Sequence, residues 1–339
     1  MFTRHLSTML ASGVQVVQCL ETLSFQPESP NLGEIIRQLA HRIEAGHKFS
    51  HALGQYPRVF TKIFVTMVQI GEETGGLDMS LDRLATWMEG DERVVQKIKG
   101  ALSYPVFVLT LAFFLTLGVF YTVLPAFVEI FSSMQMDLPL ITRVVIWVTN
   151  AIRNPGAWLI SLSALGAVVK WVQMTMAKPE GQVMLFKWAL KFPLVGGMLF
   201  EGTSARYCSA VSALLQSGMD LQRTFRLAGS ASGSPLIGQD AEHLCNRIMN
   251  GEMASAHMME HRDIYAPTLV HMVAAGEEVS RLPEMFGQAA FFHDMEMRGK
   301  VDALGAALEP VMLLGVASVV GTIVLSIFLP MYSFMTKLS

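Results

Sequence analysis

Charged residues are scarce in this chain, which excludes an ordinary soluble protein. Asp, Glu, Lys and Arg make up 16% of its 339 residues, whereas soluble globular proteins carry about 25%. The mean hydropathy is +0.41, and the shortfall of charge falls in three windows. We therefore expect a membrane protein with soluble parts. The net charge of −3 is too small to indicate nucleic acid as a partner.

Cysteine is scarce as well. Cys19, Cys208 and Cys245 are odd in number and widely spaced, and no pair has the spacing of metal ligands, so no disulfide framework is indicated. We interpret them as buried thiols in a reducing compartment, which places the polar domains in the cytoplasm. The first residues show no h-region before a cleavage site, so we expect the first membrane helix to direct insertion.

No motif for nucleotide chemistry is complete. The segment 197–204 has glycines at a spacing close to that of a phosphate-binding loop. However, no lysine precedes Thr203, and Glu201 stands where an anion would bind. Neither a Gly-rich dinucleotide fingerprint nor a Gly-x-Ser-x-Gly elbow is present. We therefore expect no enzyme activity, no catalytic residue and no cofactor.

Two histidine pairs have the i, i+4 spacing that can hold zinc on one helix face, His47/His51 and His257/His261. Neither pair has a counterpart in the other half of the chain, and no cysteine is near either one. We interpret both pairs as surface or capping residues and expect no metal there.

What the chain does contain is an internal repeat with an offset of 205 residues, as between Gly13 and Gly218. The same offset relates Gly46 to Gly251, Gly71-Glu72-Glu73 to Gly276-Glu277-Glu278, Leu77 to Leu282, Pro105 to Pro310, and Pro125 to Pro330. The last two pairs lie inside long apolar runs, so the repeated unit is a polar domain followed by a membrane helix.

Three apolar windows predict membrane helices. The first, 105–128, has 24 residues, about 36 Å of helix, which is enough to cross roughly 30 Å of hydrocarbon. We predict the following order: cytoplasmic helical domain 1 at 1–100, a membrane helix at 105–128, a periplasmic hairpin at 129–154, a membrane helix at 155–173, cytoplasmic helical domain 2 at 178–300, and a membrane helix at 310–334.

Lys and Arg near the ends of these helices predict the orientation. They are more numerous on the side of the two large domains (Arg93, Lys97, Lys99, Lys170, Lys178, Lys187, Lys191, Arg298, Lys300) than on the other side (Arg143, Arg153, Lys337). Both large domains should therefore be cytoplasmic, because the second membrane helix returns the chain to the first side.

Within the polar domains, apolar residues recur at three- and four-residue spacing, which predicts bundles of about five or six short helices. Gly13 and Gly218 indicate turns or close packing points. Ser29-Pro30 and Ser234-Pro235 should begin helices, with serine as the N-cap.

The Gly-Glu-Glu triplets are the most distinctive polar feature, and we predict loops there. The acids can flank the N-terminus of the following helix, whose dipole favours negative charge. Two alternatives are a partner surface and a divalent-cation site on Glu72, Glu73, Glu277 and Glu278.

Prolines and one acid mark the predicted membrane helices. Glu309 directly precedes Pro310, and we interpret it as an acid stabilised at a helix N-terminus, with a role inside the membrane as the alternative. Pro125 and Pro330 are expected to kink or end their helices near the outer interface.

Several motifs resemble the inner-membrane platform proteins of type II secretion and type IV pilus machines, the GspF/PilC-like family. They are the Gly-Glu-x-x-Gly-x-Leu run at 71–77, Tyr104-Pro105, Leu124-Pro125-x-Phe127, Leu138-Pro139-x-x-Thr142, Phe192-Pro193-Leu194-Val195-Gly196, Leu308-Glu309-Pro310 and Phe328-Leu329-Pro330. The resemblance covers nearly the whole chain and both repeats. Members of that family usually carry a further segment before the first bundle.

The resemblance implies an all-α polytopic inner-membrane protein with two homologous six-helix bundles in the cytoplasm and three membrane helices. It implies a platform that couples a cytoplasmic assembly ATPase to the incorporation of pilin or pseudopilin subunits, without catalysis. The implied partners are that ATPase, those subunits, other inner-membrane assembly proteins, the lipid bilayer and a second copy in a dimer.

Two other classes of function compete with this one. The repeat and Glu309 are also compatible with a small oligomeric membrane transporter, although three spans are few for a midplane site. A membrane sensor would need an outside ligand domain, and the hairpin at 129–154 is too small for one.

We assign the structural or partner-binding motif to Gly13, Gly46, Gly71, Glu72, Glu73, Gly75, Leu77, Tyr104, Pro105, Pro125, Gly218, Gly251, Gly276, Glu277, Glu278, Leu282, Glu309, Pro310 and Pro330. The second half has Ser280 and Arg281 where the first has Gly75 and Gly76. We therefore expect the two halves to bind different partners.

Overall fold

The computed structural model describes residues 1–25, 30–133, 140–192 and 195–338. This part of the chain is helical and contains no strand, which confirms the predicted all-α class. It divides into two compact units. One comprises Met1–Gln96 and Val183–Lys300, and the other comprises Lys97–Gln182 and Val301–Ser339.

The first half begins with six helices. They are α1 (Phe2–Ala11), α2 (Val16–Ser24), α3 (Pro30–Glu44), α4 (Phe49–Leu53), α5 (Lys62–Thr74) and α6 (Leu77–Gly118). Leu6, Leu20 and Leu39 are fully buried and lie on the inner faces of α1, α2 and α3. Burial of these apolar faces, at about 25 cal/mol per Å², holds together helices that would be marginal alone.

The chain then continues through a π-helical segment (Val119–Val123) into α7 (Leu124–Ser133), α8 (Leu140–Arg153) and α9 (Pro155–Met176). The N-cap of α9 is Asn154, whose side chain accepts a hydrogen bond from Gly156 N (2.9 Å). This cap and the proline at the first helical position start the helix after α8.

The second half contains α10 (Pro179–Lys191), α11 (Val195–Gln216), α12 (Leu221–Ala231), α13 (Pro235–Met249), α14 (Ala254–Glu260), α15 (Pro267–Glu278) and α16 (Leu282–Leu338). The helices α11 to α16 repeat the order of α1 to α6, and α14, like α4, is the short helix of its bundle. The segment 197–204 lies inside α11 and is therefore not a phosphate-binding loop.

Turns and caps in the repeated bundles agree with the sequence. Gly13 (φ +84°) follows α1 and Gly218 (φ +88°) follows α11, each in the left-handed region that glycine adopts without strain. Ser234 caps α13 by accepting from Ile237 N (3.4 Å), as predicted. Its counterpart, Ser29, lies outside the described residues.

The two bundles belong to one packed unit. Arg206 on α11 forms an ion pair with Asp91 on α6, and the guanidinium of Arg83 donates to the backbone oxygen of Gln216. The buried core includes residues from both halves, among them Leu81 and Tyr207. The two copies are therefore not independent modules.

Within the second bundle, Glu201 on α11 connects to α16 through two contacts. His293 Nδ1 donates to Oε2, and Lys300 Nζ donates to Oε1, both at 2.6 Å. Burial opposes charge on this carboxyl, but the hydrogen bonds from His293 and Lys300 outweigh it and lower the pKa of Glu201. The carboxylate is therefore a charged link between the two helices.

Two segments are long and apolar enough to cross a membrane, Leu77–Phe127 and Leu282–Pro330. Their apolar windows have mean hydropathies of 2.3 and 2.5, and only 6% and 11% of the window residues are buried. An exposed apolar helix surface of this length suits hydrocarbon better than water. These segments correspond to the first and third predicted spans.

Both helices begin much earlier than the predicted spans. Pro105 lies inside α6, and Pro310 and Pro330 lie inside α16. Glu309 is also well inside α16, so its interpretation as an acid at a helix N-terminus was wrong. The sequence pattern marks where lipid-compatible residues start, whereas the backbone is already helical before that point.

Pro125 does not end the first membrane helix. The π-helical segment Val119–Val123 precedes it, and helix resumes as α7 through Ser133. A proline ring collides with the carbonyl four residues earlier, and a π turn is one of the adjustments that relieve such a collision. Pro330 likewise ends nothing, because α16 continues to Leu338.

The region predicted as a hairpin, 129–154, is largely helical in its described part. Val145 of α8 packs with Phe120 and Leu124, and Thr142 Oγ1 donates to Ser326 O (3.1 Å). α8 therefore lies along the helices that carry the apolar windows.

The predicted span at 155–173 corresponds to α9, whose 22 residues measure about 33 Å. That α9 spans the bilayer stays a prediction.

Candidate functional site

The Gly-Glu-Glu triplets lie in helices and not in loops. Gly71, Glu72 and Glu73 belong to the last turn of α5, and their counterparts belong to the last turn of α15. The loop prediction was wrong because the turn comes only after the triplet, at residues 75–76 and 279–281.

The glycine of each triplet is a close approach between two helices. A Cβ on Gly71 would lie 2.9 Å from the Cα of Leu77 and 3.0 Å from the Cβ of Ser80. On Gly276 it would lie 2.9 Å from Met285 Cγ and 3.3 Å from the Cα of Leu282. The glycines thus let α5 and α15 cross the starts of α6 and α16, the helices that carry the apolar windows.

The first acid of each triplet caps a short helix. The carboxylate of Glu72 accepts hydrogen bonds from Phe49 N (2.5 Å) and Ser50 N (3.2 Å) at the start of α4, and from the Ser50 hydroxyl. The carboxylate of Glu277 accepts from Ala254 N (2.6 Å) at the start of α14.

Each acid therefore occupies the positive end of a helix dipole. The sequence correctly indicated that a helix dipole stabilises these acids, but the predicted helix was wrong. The capped helix precedes the triplet in sequence, and the following helix is not the one involved.

The second acid of each triplet is exposed. Glu73 accepts from Gln69 Nε2 (2.8 Å) on its own helix, and both Glu73 and Glu278 face solvent. Adjacent residues on a helix point about 100° apart, so one acid of the pair can cap while its neighbour stays available to a partner.

The two copies differ at the turn after the triplet. Gly75 has φ +75°, whereas Ser280 occupies the left-handed region with φ +53°. A side chain in this region is strained by about 1–2 kcal/mol. The second copy therefore keeps the backbone geometry of the turn without the glycine that favours it.

A cleft of about 510 Å³ lies between α5 of the first bundle and α12 of the second. Its walls come from α5 and α12 and include both signs of charge, with Lys62 and Glu73 on one side and Asp220, Arg223 and Arg226 on the other. Glu73 thus borders a recess between the bundles, and Glu278 is not among its lining residues. No sequence signal could locate this cleft, because it exists only through the packing of distant helices.

The remaining motif residues lie in several places. Gly46 (φ +88°) and Gly251 (φ +84°) follow α3 and α13, and Leu77 and Leu282 begin α6 and α16. Tyr104 is 60% exposed on α6, and Glu309 is exposed on α16. The motif residues therefore belong to both compact units.

One histidine prediction was wrong. His257 is 2% exposed and not a surface residue. It contacts Asp240, a buried acid that no motif in the sequence indicates. His47 and His51 are exposed, as expected.

Comparisons with known proteins match this architecture. The family model for "Type II secretion system (T2SS), protein F" matches the chain twice, at residues 2–125 and 207–330. The chain belongs to this family. The two matched ranges begin and end 205 residues apart, which is the offset of the glycine and proline pairs.

Individual relatives agree over almost the whole length. Type IV pilus assembly protein PilC of Thermus thermophilus is 32% identical, over 100% of this chain and 82% of the relative. Type IV pilus assembly protein TapC of Aeromonas hydrophila is 28% identical, over 97% and 79%. Type II secretion system protein F of the same organism is 28% identical, over 97% and 84%.

Proposed function

We propose that this protein is an inner-membrane platform of a type IV pilus or type II secretion machine, which couples a cytoplasmic assembly ATPase to the incorporation of pilin or pseudopilin subunits. The observation that carries this proposal is helix continuity. α6 and α16 each begin in the close glycine crossing of a bundle and continue without a break into an apolar window.

A continuous helix suits mechanical coupling better than a flexible linker does. Where a bundle is tied to a membrane helix through regular backbone hydrogen bonds, a displacement of the bundle moves the helix as well. The membership of the family and its two repeats support two such helices in one chain. In this proposal the protein transmits force and catalyses no reaction of its own.

The proposed topology has both bundles in the cytoplasm and three helices in the bacterial inner membrane. The apolar windows of α6 and α16 support two of the spans, and the excess of Lys and Arg near the bundles supports the orientation. The span at 155–173 is needed to bring the second bundle back to the cytoplasm. Reporter fusions after residues 136 and 177 test this arrangement, since they should report opposite sides.

We propose further that the two bundles contact different partners, among them the assembly ATPase, pilin-like subunits and other inner-membrane assembly proteins. The exposed acids Glu73 and Glu278 are equivalent in the repeat but differ in surroundings, since only Glu73 lines the inter-bundle cleft. The strained Ser280 turn adds a second difference near Glu278. Dimerisation belongs to the same proposal and would place two copies of each surface in one machine.

The helix-continuity proposal predicts that a flexible break abolishes fibre assembly. Four residues, Gly-Ser-Gly-Ser, inserted after Gly100 of α6 should leave the protein in the membrane but stop assembly in a strain that lacks the native copy. Four alanines at the same place are the matched control. They keep the helix and should retain more function. Normal fibres with the flexible insert would contradict the proposal.

The difference between the copies can be tested with photo-crosslinking amino acids at positions 73 and 278 in cells that make the complete machine. The two positions should yield different crosslinked proteins. The same set of partners at both positions would show that the acids are equivalent, and a failure to crosslink the ATPase from any exposed bundle position would contradict the coupling role.

A further inference from the structure

The second bundle contains a cluster of metal-ligating side chains with no assigned role. Asp240 of α13 and His257 of α14 are 5% and 2% exposed, and His261 follows the end of α14. One ligand atom from each of the three residues lies within 4.8 Å of the others. The helical spacing of the histidines, i and i+4, places both imidazoles on the same side of α14, where they face Asp240.

Hydrogen bonds determine which atoms are available. His261 Nδ1 lies 3.0 Å from the backbone oxygen of His257. A carbonyl oxygen can only accept, so Nδ1 carries the proton, and Nε2 of neutral His261 has a free lone pair. That Nε2 lies 3.9 Å from Asp240 Oδ1. Two acceptors thus face each other across a gap that a cation would bridge.

Asp240 and His257 are also held by hydrogen bonds. His257 Nε2 donates to Asp240 Oδ2 (2.9 Å), and the Tyr265 hydroxyl donates to the same oxygen (2.8 Å). The tyrosine holds the carboxylate in place, and the His257 carbonyl orients His261. Metal-binding histidines and carboxylates in proteins are oriented by such outer contacts.

We propose that Asp240, His257 and His261 form a binding site for a borderline divalent transition cation such as Zn²⁺. His261 Nε2, Asp240 Oδ1 and, in the tautomer that carries the ring proton on the unpartnered Nδ1, His257 Nε2 would be the ligands. Three protein ligands with nitrogen and oxygen donors suit Zn²⁺, which prefers four-coordinate sites, and a water would take the fourth position. The partly exposed ring of His261 (37%) lets the ion enter.

The equivalent positions of the first bundle lack these ligands. The positions 205 residues earlier are Ile35 for Asp240, Ala52 for His257 and Tyr56 for His261, and Phe60 stands at the position of Tyr265. Ala52 and Phe60 are buried among apolar side chains. The cluster is therefore specific to the second bundle, where a bound ion would join α13 to α14 across the Gly251 turn.

The test uses the full-length protein in detergent, purified with a tag that contains no histidine and stripped with a chelator. Titration with Co²⁺ should give the d–d absorption of tetrahedral coordination with a single ion per chain. Zn²⁺ should displace that ion and raise the Tm, whereas Ca²⁺ and Mg²⁺ should do neither. The matched control is the double variant His47→Gln/His51→Gln, which removes the exposed i, i+4 pair of the first bundle and should leave binding unchanged.

His261→Gln should weaken Zn²⁺ binding at least about 100-fold, because it removes a ligand and not merely an outer contact. Its side chain is partly exposed, so the metal-free variant should keep the Tm of the metal-free native protein. Asp240→Asn provides a second loss-of-ligand variant of nearly the same volume. Equal Zn²⁺ affinity in native protein and His261→Gln, or loss of the site in the His47/His51 control, would overturn the proposal.

Discussion

At the scale of single residues, Ser280 marks a difference between the two copies of the repeat. It is the one non-glycine residue with positive φ in the described part of the chain, and Gly75 holds the equivalent place. Ser280→Gly should therefore stabilise the full-length protein by about 1 kcal/mol, and Gly75→Ser should destabilise it by a similar amount. Thermal unfolding in detergent measures both changes. A lower Tm for Ser280→Gly would show that the serine is held by a contact outweighing its strain.

At the scale of helices, the two glutamate caps should contribute unequally. Glu72→Gln removes a charged acceptor from two backbone N–H groups and one hydroxyl, and Glu277→Gln removes one from two backbone N–H groups. Each change should cost about 1–2 kcal/mol, with the larger loss at Glu72. The neighbouring variants Glu73→Gln and Glu278→Gln serve as controls and should stay within about 0.5 kcal/mol in the same unfolding assay.

The link between α11 and α16 should depend on pH. Because the folded-state pKa of Glu201 is lowered, its stabilising contribution is present above the unfolded-state value of about 4.3 and is lost as the pH falls through the lower folded-state value. Glu201→Gln should therefore lower stability by about 1–3 kcal/mol at pH 7, and the difference from native protein should shrink below about pH 4. Glu180→Gln is the exposed control. A difference that does not change with pH would contradict the charged link.

At the scale of the whole molecule, the two bundles should unfold together, because they share one packed unit. Cys19 reports on the first bundle, and Cys208 and Cys245 on the second. All three are buried, and burial raises the pKa of each thiol. Thiolate is the reactive form, so maleimide labelling should be negligible in folded protein and should rise at one temperature for all three. Labelling of Cys19 while the other two stay protected would mean that the bundles unfold separately.

Much of this architecture could be predicted from the pattern of residues. The offset of 205 residues, the helical periodicity and the glycine turns are visible in the sequence itself, and each is confirmed in the described helices and the doubled family match. Helix starts were harder to predict. Proline commonly marks a helix boundary in soluble proteins, yet Pro105 and Pro310 both lie inside long helices here. A membrane helix can tolerate a proline when neighbouring groups satisfy the freed backbone groups.

What the sequence alone determined is the repeat, the all-α class and the two long apolar helices, because composition and spacing control which faces can be buried or placed in lipid. Only the tertiary structure decided which helix each glutamate caps and which residues line the cleft. It alone also brought Asp240 to His257 and His261. These contacts join different helices, and their partners are chosen by the packing of one helix against another, which no local pattern encodes.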